Sequence, residues 1–103
     1  MTIDVLYFED CPHYELTVDL VQRTIDALGV SAVVRRIAVE TIEAAERVRF
    51  LGSPSVLVDG VDIDPDAHDR SDYGLACRRY GTSGVPPREM IAQAIRGSTE
   101  EKA

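Results

Sequence analysis

The sequence predicts a single α/β domain: a mixed β-sheet with helices on both faces, in the order strand–helix–strand–helix–strand–strand–helix. Three observations carry that prediction. A nearly continuous apolar run, Ile3 to Phe8, is followed by a helix-period stretch and then by an alternating stretch, Ala32 to Val39. That succession is a βαβ unit, which requires a parallel strand pair joined by a crossover. Later, Asp59-Gly60 separates two short apolar runs, a strong hairpin signal that adds antiparallel strands. At 103 residues the chain has room for one hydrophobic core and not two.

Taken in order, Ile3–Phe8 is interrupted only by Asp4 and reads as a strand covered on both faces. It stops at Glu9-Asp10-Cys11-Pro12, and Pro12 suits the first turn of a helix because that turn needs no backbone donor there. Tyr14, Val18, Val21, Ile25 and Leu28 then recur at helical spacing, leaving Glu15, Asp19, Gln22, Arg23 and Asp26 for water. Gly29 is a helix-terminating glycine. In Ala32–Val39, Val33, Ile37 and Val39 share one face and Val34 and Ala38 the other. Thr41 can cap a second helix through Ile42, Ala45 and Val48, ended by Leu51-Gly52. Ser55–Val58 is a third strand and Val61–Ile63 a fourth.

Asp64–Asp72 is polar and acidic and reads as a loop. Leu75–Tyr80 reads as another strand or an extension of the fourth, and Gly81–Gly84 as a turn. Pro86-Pro87 opens a last helix that faces Met90, Ile91, Ala94 and Ile95 inward and ends at Gly97. The expected domain is therefore residues 1–97, with 98–103 a frayed tail.

Composition narrows the function classes. The chain is 45% hydrophobic and 28% charged, an ordinary globular balance. Its formal charge of -7 argues against nucleic acid and anionic membranes, since both attract basic patches. No apolar run approaches a bilayer-spanning length. The start Met1-Thr2-Ile3-Asp4 lacks the basic beginning and cleavage site of a secretory signal, so a cytoplasmic location is expected. In the cytosol two cysteines are not a structural staple, and they form no zinc pattern. No phosphate-cradling glycine loop and no Ser/His/Asp set occurs, and no cofactor is expected.

Cys11-Pro12 after the first strand, Gly52-Ser53-Pro54-Ser55 before the third, and the Asp59-Gly60 hairpin together resemble the thioredoxin-like superfamily over nearly the whole chain. More narrowly, Arg49-Phe50-Leu51-Gly52-Ser53-Pro54, Asp72-Tyr73-Gly74-Leu75-Ala76-Cys77-Arg78 and Gly84-Val85-Pro86-Pro87 look like small bacterial thioredoxin-family proteins, some of them labelled alkylmercury lyase. Established organomercurial lyases are much longer, and no extended similarity to them is present. The resemblance implies that the Ser53–Pro54 bond is cis and sits beside Cys11. It also implies that Pro12, His13, Tyr14 and Ser53 border the site.

The residues make their own case for Cys11. It lies at or just before a helix start, where free N–H groups and the helix dipole favour an anion, and only the thiolate attacks disulfides. His13 could add positive charge, whereas Glu9 and Asp10 oppose a thiolate. Cys-Pro-His before a second cysteine is the motif of a bacterial disulfide oxidant. Here Tyr14 holds that last position, which excludes release by a local Cys-x-x-Cys pair. The bland alternative is that Cys11 merely fills the turn.

Cys77 shares strand parity with Leu75 and reads either as a buried core cysteine or as a resolving thiol that approaches Cys11. If the thiols converge, Asp10 completes a set able to hold a soft cation or mercury. Asp62, Asp64 and Asp66 alternate as in a calcium loop, but Ala67 and Tyr73 stand where glycine and glutamate are needed. His68 reads as surface, and Arg78, Arg79 and Tyr80 as edge residues without chemistry. The leading expectation is a thiol-redox protein in which Cys11 forms a mixed disulfide with a protein or small-molecule thiol. The alternatives are a non-catalytic binding module using the surface around Pro54 and the hairpin edge, and a soft-metal or organomercurial protein.

Overall fold

A computed structural model describes the backbone of residues 1–102 and the side chains of residues 1–99. Four strands form one mixed sheet in the order β2-β1-β3-β4: β1 Thr2–Tyr7, β2 Val33–Ala38, β3 Ser55–Val58 and β4 Val61–Asp62. β1 runs parallel to β2, with Ile3 opposite Val34 and Leu6 opposite Ile37. It runs antiparallel to β3, with Ile3 opposite Val58 and Leu6 opposite Ser55. A strand paired on both sides and covered on both faces is mostly apolar, and its one charged residue, Asp4, is held by the Arg35 guanidinium at 2.6 and 3.0 Å.

Strand alternation divides the core. Ile3, Val5, Val56 and Val58 pack with Val18, Val21 and Ile25 of α1 (Tyr14–Leu28) and with Ile91 and Ile95 of α3 (Arg88–Lys102). On the opposite face Leu6, Val39 and Phe50 pack with Ala45 of α2 (Ile42–Arg47). The chain is thus a small α/β protein with a four-stranded mixed sheet and three helices among the described residues. None of these helices is long and apolar enough to cross a membrane.

Local chemistry sets the helix ends. α1 closes where Gly29 takes φ 67°, with its N–H bonded to the Asp26 carbonyl and the Val30 N–H returning to Ile25. Thr41 caps α2, accepting the Ala44 N–H at 3.0 Å. That helix stops at Arg47, short of the expected Leu51. Arg49 turns left-handed at φ 58° and Phe50 donates its N–H back to Ala45, which carries the Phe50 ring into the core. Of the residues expected on one side of this helix, Ala45 is buried and Ile42 is exposed.

Three further expectations are corrected. α1 begins at Tyr14 rather than Pro12, because the Cys11 N–H turns back to the Phe8 carbonyl and His13 becomes the cap. Residues 75–80 form no strand; they make only isolated bridges, Ser53 to Cys77 and Tyr80 to Ser83. The last helix does not stop at Gly97. A glycine ends a helix when it turns left-handed, and Gly97 does not, so α3 continues to Lys102. Of the expected tail, residues 98–102 are helical and Ala103 lies outside the described residues.

Candidate functional site

The carboxyl end of β1 and the start of β3 meet because the two strands are antiparallel. Leu6 opposite Ser55 brings Phe8 level with Ser53, and the Phe8 N–H reaches the Ser53 Oγ at 3.4 Å. Cys11 follows in the next turn, its N–H 3.0 Å from the Phe8 carbonyl oxygen. The Ser53–Pro54 peptide is cis. One corner of the sheet therefore holds Cys11, the entry to α1 and the Ser53–Pro54 turn.

Cys11 is only 6% exposed and carries a free thiol. It stands two residues before the α1 cap, and His13 makes no side-chain capping bond. Instead the His13 carbonyl accepts both the Thr17 N–H and the Thr17 hydroxyl, at 3.1 and 2.9 Å. The His13 ring lies directly on Gly84, where an added Cβ would fall 2.7 Å from Nε2. The turn before α3 thereby closes over the entry to α1. Pro12 is exposed. Tyr14 stacks on Tyr7 with ring centroids 4.0 Å apart. Burial, and then the neighbouring Glu15 carboxylate, push the Tyr14 phenol above its ordinary range, so it stays neutral at pH 7. Tyr14 supplies aromatic surface here rather than a charge.

Cys77 overturns the expectation of a buried core thiol: it is exposed, and the next residue, Arg78, is buried instead. Its backbone lies directly beside Ser53. The Ser53 N–H donates to the Ala76 carbonyl at 2.8 Å, and the Arg78 N–H donates to the Ser53 carbonyl at 2.9 Å. Residues 76–78 thus form a strap across the Ser53–Pro54 corner. Gly52 permits this approach, since an added Cβ would sit 2.9 Å from the Ala76 carbonyl oxygen. Ser53 and Pro54 are buried beneath the strap. Both cysteines are free, and among the described residues no three His, Cys, Asp or Glu side chains converge as a metal-holding group. The Asp10, Cys11 and Cys77 set required for mercury is therefore not assembled.

Two residues that pin the strap, Arg78 and Tyr80, expected at an edge without chemistry, are instead buried. The Arg78 side chain is 2% exposed, donates to both Asp62 carboxylate oxygens at 2.7 and 2.9 Å, and donates to the Ser55 Oγ at 3.0 Å. It also lies over the Tyr80 ring, 4.8 Å from the centroid. Burial works against its charge, but Asp62, Tyr80 and Asp64 outweigh that and hold the guanidinium above its ordinary range. Asp62 and Asp64 are thus Arg78 counterions and turn formers, with the Asp64 N–H on Asp62 and the Asp66 N–H on Asp64, rather than calcium ligands. An excess of aspartates at alternate positions was the available signal for a buried cation.

Tyr80 completes the pinning by donating its hydroxyl to the Pro54 carbonyl at 2.7 Å. Burial, partly offset by Arg78, drives its phenol far above the ordinary 10.0. The unfolded chain therefore loses this proton first as pH rises. Stability is fully present below about pH 10 and then falls by up to about 1.4 kcal/mol per pH unit until the folded-state phenol ionises. Tyr80→Phe is expected to flatten that alkaline limb. At neutral pH it should cost about 1–2 kcal/mol, because a buried carbonyl loses its donor. Urea titrations on both sides of the limb check this; an unchanged alkaline slope would assign the loss to other groups.

By fold, then, this is a small α/β protein with a free, nearly buried cysteine at the entry to its first helix. Comparison with protein-family models, curated proteins and solved structures found no match.

Proposed function

We propose that the chain is a thioredoxin-like thiol–disulfide exchange protein of the cytosol, acting through Cys11. The observation that carries this reading is the position of Cys11 two residues before the cap of a fifteen-residue helix, a cap that provides no side-chain acceptor. The free N–H groups of such a helix start stabilise an anion near them. The strand order β2-β1-β3-β4, with one parallel and two antiparallel pairings, and the Ser53–Pro54 turn beside the Cys11 loop support the same reading.

The chemistry is two successive displacements. The Cys11 thiolate attacks one sulfur of a disulfide, forms a mixed disulfide, and expels the other sulfur as a thiolate that takes a proton from water. A second thiol, either Cys77 or an external one, then attacks the mixed disulfide, and a second thiolate leaves. Tyr14 cannot perform that second step. The low exposure of Cys11 restricts the first step to small or extended disulfides entering beside exposed Pro12.

The test incubates the Cys77→Ser variant with glutathione disulfide and locates the adduct by mass spectrometry. One glutathionyl group on Cys11 is expected, as is exchange activity reduced to background in Cys11→Ser. An exchange rate unchanged by Cys11→Ser would sink the proposal. The burial of Cys11 also favours a second reading, a non-catalytic binding module, in which Cys11→Ser changes neither fold nor partner binding. Since Ser53 and Pro54 are themselves covered, such a module would present Pro12, the aromatic pair Tyr7 and Tyr14, and the hairpin edge.

A further inference from the structure

A cavity of about 230 Å³ opens between the end of α2, the β3–β4 hairpin and the loop after that hairpin, and Cys11, Pro54 and Cys77 do not line it. It is smaller than the roughly 300–1,000 Å³ of drug-sized sites, so it suits one ring rather than two. Val48, Leu51, Leu57, Val61 and Ala67 give it apolar walls, and Arg49 and Tyr73 add polar groups. The backbone brings those two together. The Gly74 N–H donates to the Phe50 carbonyl at 3.1 Å, joining the residues that follow Tyr73 and Arg49.

The charges of the lining are engaged, with one exception. Asp62 accepts from Arg78 through both carboxylate oxygens, at 2.7 and 2.9 Å. Arg70 donates to both oxygens of Asp72, at 2.9 and 2.8 Å. The His68 Nε2 lies 3.0 Å from the Asp62 carbonyl oxygen. Among the described residues, the Arg49 side chain makes no hydrogen bond or ion pair, and the Tyr73 hydroxyl makes no hydrogen bond. A guanidinium offers five N–H donors in a planar fork that matches a carboxylate. The lining therefore presents one unpaired positive charge and one unpaired hydroxyl beside an apolar wall.

The backbone at Arg49 gives a second, independent reason to look for a ligand. Arg49 and Asp59 are the described non-glycine residues in the left-handed region, at φ 58° and 49°. Aspartate tolerates that conformation in a turn, but arginine gains nothing from it, and glycine is the usual residue just past a helix. A cation is also favoured near the last carbonyls of a helix, but Arg47 already fills that role in the last turn of α2. Glycine would serve the chain reversal better, so what Arg49 adds is its side chain.

We propose that this cavity binds a small organic carboxylate with a compact apolar body, its anionic end held by Arg49. The test titrates the full chain with benzoate and, separately, with neutral benzamide of nearly the same shape and with acetate, following backbone amide shifts. Shifts are expected at residues 48–51, at the hairpin and at residues 67–73, with benzoate bound several-fold more tightly than either other probe. Arg49→Gly is expected to weaken benzoate binding by about tenfold and to abolish its advantage over benzamide. It should leave the urea midpoint unchanged or raised, because glycine adopts a positive φ freely. Arg49→Lys, which keeps the charge, is expected to retain a preference for benzoate. Equal affinity for benzoate and benzamide, or a benzoate preference that survives Arg49→Gly, would overturn the proposal. So would acetate binding as tightly as benzoate, since the apolar wall would then contribute nothing. None of these outcomes depends on whether Cys11 exchanges disulfides.

Discussion

Arg78→Ala is expected to destabilise the fold by about 3–5 kcal/mol, because it strands the nearly buried Asp62 carboxylate without its partner. The pair is 2% and 10% exposed at the side chains, so the stranded carboxylate is poorly hydrated where it stands. Ser55 loses a donor in the same change, at a position where the hydroxyl is buried and bonded onward to the Gly52 carbonyl. An exposed pair shows the contrast. Arg70 and Asp72 are 43% and 66% exposed, and Arg70→Ala should cost at most about 1 kcal/mol. Removing both charges separates the penalty of an orphaned ion from the worth of the pair. Arg78→Met with Asp62→Leu is expected to recover most of the loss, since an apolar replacement of a buried pair is often neutral or better. Urea unfolding of the three variants measures this. A single Arg78→Ala loss below about 1 kcal/mol would mean that Asp62 relaxes into solvent.

This buried cation was the least legible part of the molecule, and the reason is physical. Hydrophobic period and turn chemistry are local. They placed the first strand, α1 with its Gly29 stop, Thr41 as a cap and the Asp59-Gly60 hairpin within a residue or two of where they stand. A buried ion pair is non-local: Arg78 and Asp62 are sixteen residues apart and are brought together by the fold, not by local pattern. Parity arguments failed at Cys77 because they assume a strand. There the chain forms single bridges, and Arg78 and Tyr80 turn inward to polar partners, leaving Cys77 outside. Gly97 misled for a related reason, since glycine permits a left-handed stop but does not impose one. At the site, the sequence pointed to Cys11 and the Ser53–Pro54 turn, which the fold brings to one corner. The strap that covers that corner could not be read in advance.

Gly52→Ala should damage that strap directly, at a cost of about 3 kcal/mol. One part is the backbone: φ is 116°, a region that residues with a Cβ occupy only with about 1–3 kcal/mol of strain. The other part is space. The new methyl would lie 2.9 Å from the Ala76 carbonyl oxygen and 3.0 Å from the Arg78 Cβ, and neither is the far end of a flexible side chain. Two other glycines separate these contributions. Gly60 has φ 86° with nothing within 4 Å of an added Cβ, so Gly60→Ala carries the backbone cost alone. Gly97 has neither burden, and Gly97→Ala is expected to stabilise the fold by up to about 1 kcal/mol. If Gly52→Ala costs no more than Gly60→Ala, the strap has moved aside at little expense and is not tightly held. If it costs about twice as much, the bonds between Ser53 and residues 76–78 resist displacement. Cys77 would then be held where the backbone pairing puts it, opposite Ser53, and any second thiol step it performs must be made from that position.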